Sequence, residues 1–310
     1  MKNTTNGTAA IEVTGLCRTF RGRVALDEIN LSIPRGSVFG LVGVNGAGKT
    51  TLIRHLIGAL KPQRGLVRIL GQDPISQRTD LMRRVGYMSE EDGLPRWAKV
   101  GELIDFFRGI QPHWDSAYAS ELCDLFELSR GDSMSGLSKG QRARLGLLVA
   151  IAHRPEVLIL DEPSSGLDPI ARGDILEAVI RTVNEDGRTV LFSSHLLDEV
   201  DRVCDSVAMI HDGRVLETAT LESLQANYCE LVVGIESAES LKASLTESFG
   251  WQLRGGEWSA VVRQDVMVDD LTADAQVRSL CLARWFEAVA TRARSIDSQN
   301  RDVAAEVEHV

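Results

Sequence analysis

A chain of 310 residues exceeds one average domain, so one large α/β domain with an appendage, or two domains, is expected. Hydrophobic residues make up 44% and charged residues 25%, ordinary globular proportions that argue against disorder and against a membrane-spanning protein. The formal net charge of −10, from 44 acids against 34 bases, has the wrong sign for a sequence-independent nucleic-acid binder, so no nucleic-acid partner is expected.

In chain order, "MKNTTNGTAA" holds no apolar stretch of the kind a secretion signal needs. From there to "INLSIPRG" the pattern alternates like antiparallel strands. "SVFGLVG" at 37–43 reads as a buried strand, followed by a helix in "LIRHLIGAL". Between Glu91 and His153 the pattern turns helical, with apolar residues at i, i+3 and i+4 in "VGELIDFF" and "SELCDLFEL". The longest strongly apolar run, Leu145 to Ala152, falls far short of the roughly 20 residues that cross a bilayer. Three more buried strands follow, at 156–162, 188–195 and 206–213, and complete a mostly parallel sheet with βα connections.

After about Leu221 the pattern restarts as "ELVVGIES", "AESLKASLTESF", "WSAVVRQ" and an amphipathic run from Thr272 to about Arg292, a small α+β appendage. The expected organisation is a first domain over 1–220 with a helical subdomain at about 91–155, an accessory domain over 221–295, and a flexible tail over 296–310. Five scattered cysteines without a C-x-x-C pair suit a reducing compartment and offer no metal-ligand spacing.

The strand at 37–43 runs into Gly43-Val44-Asn45-Gly46-Ala47-Gly48-Lys49-Thr50-Thr51, which fits G-x-x-x-x-G-K-[ST] ahead of a helix. Glycines let backbone N–H groups curl around phosphates, and the helix N-terminus adds partial positive charge. Lys49 supplies a full charge, and the Thr50 hydroxyl can ligate Mg²⁺. The strand ending in Asp161-Glu162 sends successive side chains to opposite sides, so Asp161 can face the metal while Glu162 turns to an attacking water as general base. Ser138 with Gln141 three residues later is a capping-box arrangement opening the helix "RARLGLLVAIAH".

Together the phosphate loop, "LSKGQ" at 137–141 and "LILDEPSSGLDP" resemble, in order and over roughly residues 10–220, the ATP-binding subunits of ABC transporters. The resemblance implies a P-loop NTPase fold, with a RecA-like core sheet, an antiparallel β subdomain and a helical subdomain. It also implies binding of ATP and Mg²⁺, ATP hydrolysis, and a homodimer or a heterodimer with a second such ATPase. In that dimer Ser138, with Gly140 and Gln141, closes over the γ-phosphate held by the opposite protomer. The partner would be a separate transmembrane permease, leaving the chain cytoplasmic and peripheral on the inner face of the cell membrane. Phe20 falls where the family stacks an aromatic on adenine, Asp168 in the loop that communicates across the dimer, and His195 where a histidine contacts the γ-phosphate.

Two residues depart from the family pattern. Glu90 stands where most members carry Gln, and a carboxylate there can ligate the metal; Lys139 replaces a signature glycine and adds a positive charge. These departures, "QPHWD" and the C-terminal appendage resemble a bacterial subgroup that exports drugs, antibiotics, peptides or lipid-like compounds. An importer subunit is the nearer alternative, and a non-transport ABC ATPase the more distant one.

Overall fold

The computed structural model of the chain describes residues 9–90, 93–245, 247–266 and 274–293, with the side chains of 183–186 outside that description. The chain divides into two compact units, Met1–Val215 and Leu216–Val310. That division lies five residues before the composition-based one at 220 and falls inside a strand. The expected tail over 296–310 lies outside the described residues.

The first unit runs β1 (Ile11–Phe20), β2 (Arg23–Ile33), β3 (Val38–Val42), α1 (Lys49–Leu56), β4 (Arg64–Ile69), α2 (Arg78–Leu81) and β5 (Val85–Met88). It continues through α3 (Val100–Ile110), α4 (Ser116–Leu125), α5 (Lys139–Ile151), β6 (Val157–Asp161), α6 (Pro169–Asp186), β7 (Thr189–Ser194), α7 (Leu197–Val203) and β8 (Ser206–His211). β9 (Arg214–Thr220) spans the division.

Two sheets organise this unit. β2-β1-β4 is antiparallel, as the alternation of the opening segment requires, while β5-β6-β7-β3-β8-β9 contains the parallel core. Every residue of β3, β6 and β7 is buried, which is why their sequences read as continuous apolar runs and not as alternation. A hydrophobic core that includes Phe39, Leu41, Leu52, Ile159 and Leu191 lies between the sheets and α1.

The order β6-β7-β3 is what matters for function. All three are mutually parallel, so their C-terminal ends open on one edge, with Asp161 opposite Ser193 and Val42 opposite Ser194. Parallel α/β sheets bind ligands at that edge, because the loops leaving adjacent strands converge there.

The second unit holds α8 (Leu221–Asn227), β10 (Tyr228–Gly234), α9 (Ile235–Ser244), β11 (Phe249–Arg254), β12 (Glu257–Arg263) and β13 (Gln276–Ser279). Its antiparallel sheet, ordered β11-β12-β10-β13, covers a small core that includes Leu231, Leu241 and Val262. The amphipathic run expected from Thr272 to Arg292 is instead a strand and then a helix. Gln276–Ser279 pair with Val232–Cys229, and residues 282–293 are helical. All four β13 residues are exposed, so no apolar alternation marks them in the sequence.

Candidate active site

The segment between β3 and α1 supplies the phosphate-loop geometry. Gly48 caps α1 at φ 115°, a conformation that a side chain would strain, and an added Cβ would lie 2.9 Å from the Ala25 carbonyl oxygen. At Gly46, φ 82°, nothing would lie within 4 Å of a Cβ, so this stretch of backbone faces open space. The loop borders a cleft of about 560 Å³ whose walls include Asn45, Gly46, Gly48, Lys49, Thr50 and Thr51. Gly43 and Ala47 stand behind that wall. The Ala47 N–H bonds to the Val44 carbonyl, and the Gly43 carbonyl accepts from the Lys49 ammonium at 2.6 Å.

The Lys49 ammonium is the centre of the arrangement. It is 5% exposed and also lies 2.9 Å from Glu162 Oε1. Glu162 Oε2 in turn is 2.6 Å from His195 Nδ1 and 3.4 Å from the His195 backbone nitrogen. Because an ionised carboxylate only accepts, Nδ1 carries the proton in this contact. Glu162 has a backbone φ of 49°, unusual for a residue with a side chain. Its N–H bonds to both the Ser193 carbonyl oxygen, at 3.1 Å, and the Ser193 hydroxyl, at 3.0 Å, which hold the strained turn in place.

Asp161, the last residue of β6, is 1% exposed. Its Oδ1 accepts from the Ser193 hydroxyl at 2.7 Å, and the Thr50 side chain also hydrogen-bonds to it. Oδ2 is buried without a protein partner. Burial pushes the Asp161 carboxyl above the ordinary carboxylate range, partly offset by the hydrogen bonds from Ser193 and Thr50. An orphaned carboxylate oxygen beside a threonine hydroxyl is a hard-oxygen donor set, and it fits Mg²⁺ that takes its remaining ligands from phosphate and water. Glu90, exposed, lines the same cleft together with Lys49, Thr50 and Glu162.

The structure therefore gathers Asn45, Gly46, Gly48, Lys49, Thr50, Thr51, Glu90, Asp161, Glu162 and His195 at one sheet edge. It leaves five others, Phe20, Ser138, Gly140, Gln141 and Asp168, apart. Phe20, at the end of β1, is 40% exposed with the Arg18 guanidinium 4.4 Å over its ring, and does not line the cleft. Ser138 is exposed at the start of α5, in a capping box in which its Oγ accepts from the Gln141 N–H and its N–H donates to Gln141 Oε1. Gly140 is buried against Ala171. Asp168 Oδ1 accepts from the N–H groups of Ile170 and Ala171, both at 3.0 Å, at the start of its own helix α6.

Sequence reasoning missed Ser193, which ties Asp161 to the Glu162 backbone, and Arg23, Val24 and Asp212, which line the cleft. The serine pair in "LFSSH" is the one signal for the first: two hydroxyls inside a fully buried strand need partners.

A family profile described as "ABC transporter" matches residues 26–165. The chain is 34% identical over 224 residues to the ABC transporter ATP-binding protein NatA of Bacillus subtilis (strain 168), covering 69% of this chain and 91% of that protein. To the daunorubicin/doxorubicin resistance ATP-binding protein DrrA of Streptomyces peucetius it is 36% identical over 233 residues, covering 72% of this chain and 69% of that protein. Among solved structures, the ATP-binding subunit of an ABC transporter superposes with a TM-score of 0.64 at 28% identity, covering 70% of this chain and 92% of that one.

The raised Asp161 carboxyl has a testable consequence. The folded state holds that proton more tightly than the unfolded chain. The stabilisation is therefore complete below the ordinary carboxylate range and is lost as pH rises through the folded value. Once ionised, a buried Asp161 without a cation beside it costs stability. Asp161→Asn is expected to stabilise the metal-free protein by about 1 kcal/mol, a rise of about 2–4 °C in melting temperature, while abolishing the added stabilisation by Mg²⁺ with ATP. Thermal melts with chelator and with Mg²⁺ and ATP check it; a lower melting temperature with intact Mg²⁺ dependence contradicts the assignment.

Proposed function

The chain belongs to the ABC transporter ATP-binding protein family, and on that premise we propose that it hydrolyses ATP as part of a dimer that drives export through a separate permease. The observation that carries the hydrolytic part is the Glu162 carboxylate, held between Lys49 and His195 at the edge of the phosphate-loop cleft.

In this reading, the terminal phosphates enter the cleft along Gly46 and Gly48 and against the N-terminus of α1, where unpaired N–H groups and the helix dipole favour an anion. Lys49 transfers its charge from Glu162 to the phosphates. Thr50 and Asp161 would hold Mg²⁺, with Glu90 at the same cleft. When bound, the metal neutralises charge that develops on the phosphate oxygens. Glu162, released from Lys49 on one oxygen and fixed by His195 on the other, takes a proton from the attacking water. The products are ADP and phosphate.

Glu162→Gln is expected to lower the hydrolysis rate by between about 10² and 10⁴-fold, without weakening ATP binding, because the lysine no longer has an ionised competitor for the phosphates. Steady-state hydrolysis with equilibrium ATP titration reads both, and unchanged turnover removes Glu162 from the role of base.

Ser138 lies outside its own chain's cleft, which supports its acting on the nucleotide of a facing protomer. Lys49→Ala and Ser138→Arg chains are each expected to be inactive alone. An equal mixture should recover roughly a quarter of wild-type turnover, because about half of randomly paired dimers then carry one whole site of two. No recovery from chains shown to exchange places Ser138 in a role within its own protomer.

Among the described residues no helix is long and apolar enough to cross a membrane, so membrane work requires a partner that does. The drug-resistance relative supports export of drug-, antibiotic-, peptide- or lipid-like compounds, with this chain on the cytoplasmic face of the membrane. Purification from detergent-solubilised membranes under gentle conditions should bring down a multi-span protein in stoichiometric amount. Recovery of the chain without one counts against the transport role.

A further inference from the structure

Glu162 and His195 leave neighbouring strand ends on separate loops, so a hydrogen bond between them survives only where both loops are fixed relative to each other. Ser193 anchors the Glu162 backbone from the β7 side. The chain after Glu162, and the chain either side of His195, are held by a different group.

That group is Glu199 of α7, which is 3% exposed. Its Oε2 accepts from the Ser164 hydroxyl at 2.5 Å, two residues after Glu162, and from the Ser194 hydroxyl at 3.2 Å, one residue before His195. The Ser194 hydroxyl also accepts from the Leu196 N–H at 3.0 Å, so one side chain fixes the backbone on both flanks of His195. The second oxygen, Oε1, lies 3.1 Å from Arg172 Nε on α6. Ser164 is 1% exposed and Ser194 0% exposed, so neither hydroxyl has water as an alternative partner.

We infer that Glu199 is a positioning residue for hydrolysis, its buried carboxylate holding the loop after Glu162 and the loop of His195 in the relation that their shared hydrogen bond needs. A carboxylate can do this while leaving its other oxygen to Arg172. Its Oε2 accepts from both hydroxyls, which must therefore donate inward, while Oε1 lies at ion-pair distance from Arg172 without a hydrogen bond. An amide of the same shape offers a single acceptor oxygen: kept for the serines, it turns N–H groups on Arg172. Loss of the hub lets the loops drift apart, and misplacement by about 1 Å is enough to cost rate without touching the nucleotide-binding surface.

The inference rests on the reading of Glu162 and His195 as the hydrolytic pair. The test uses the purified full chain and its variants, measured for ATP hydrolysis in steady state and single turnover. Glu199→Gln is expected to reduce kcat about tenfold with KM for ATP within about twofold of wild type. In a His195→Ala background, Glu199→Gln should cost less than about twofold more, because the group it positions is already gone. Wild-type kcat in Glu199→Gln, a KM that rises in step, or losses that multiply in the double variant would each overturn the inference. If Glu199→Gln does not fold, Ser164→Ala with Ser194→Ala must show the same kcat loss, and normal kcat in that variant overturns it equally. Glu162→Gln is measured beside them. Wild-type turnover there defeats the reading of the site and this inference with it, whereas a dead Glu162→Gln alongside a fully active Glu199→Gln defeats this inference alone.

Discussion

An ammonium buried to 5% exposure is costly unless its charge is met, and Lys49 meets it with the Gly43 carbonyl at 2.6 Å and Glu162 Oε1 at 2.9 Å. Much else at the sheet edge follows from this pair. The phosphate loop holds the lysine by its own backbone, and β6 brings the carboxylate to it. A terminal phosphate carries more negative charge than one carboxylate, so it can compete for Lys49 only by displacing Glu162. In the proposed mechanism, nucleotide binding and release of the base are one electrostatic event. The second Glu162 oxygen lies 2.6 Å from His195 Nδ1, a contact that does not involve Lys49.

What the sequence made legible and what it hid divide along physical lines. The phosphate loop tolerates few residue types: Gly48 at φ 115° and a lysine that must bridge backbone and phosphate leave a readable trace. β3, β6, β7 and β8 are enclosed on both faces, so their apolar runs identify them. β5 has four residues and includes Gly86, and β4 buries two of its six, too little pattern to find either alone. Glu199 is the clearest hidden residue. "LDEVDRV" reads as an ordinary solvated acidic stretch, and only the packing of α7 puts one of its carboxylates beside Ser164 and Ser194.

The two departures from the family pattern acquire a joint meaning in space. Glu90 and Lys139 are far apart in the chain, yet both line one cavity that also reaches Glu162 and Pro163. A Cβ added to Gly166 would lie 2.5 Å from the Lys139 ammonium, so that ammonium rests on the loop between Glu162 and Asp168. An extra carboxylate near two others would raise the cost of ionising all three. An extra ammonium facing the same cavity offsets that charge, so the two changes together add no net charge around the base.

The N-terminus of α1 and the N-terminus of α5 are chemically alike and differently placed. Both present backbone N–H groups that no helical partner can take. At α1 they open on the cleft that holds Lys49 and Thr50. At α5 the capping box between Ser138 and Gln141 takes up two N–H groups and leaves those of Lys139 and Gly140 without a helical acceptor, on a helix end that does not line that cleft. Of these two helix ends, the one at α1 opens on the phosphate-loop cleft. Apposing two copies so that each α5 meets the other's α1 gives every helix end an anion while adding no residue to the chain. In the proposed dimer, a second protomer is what brings Ser138 to a nucleotide.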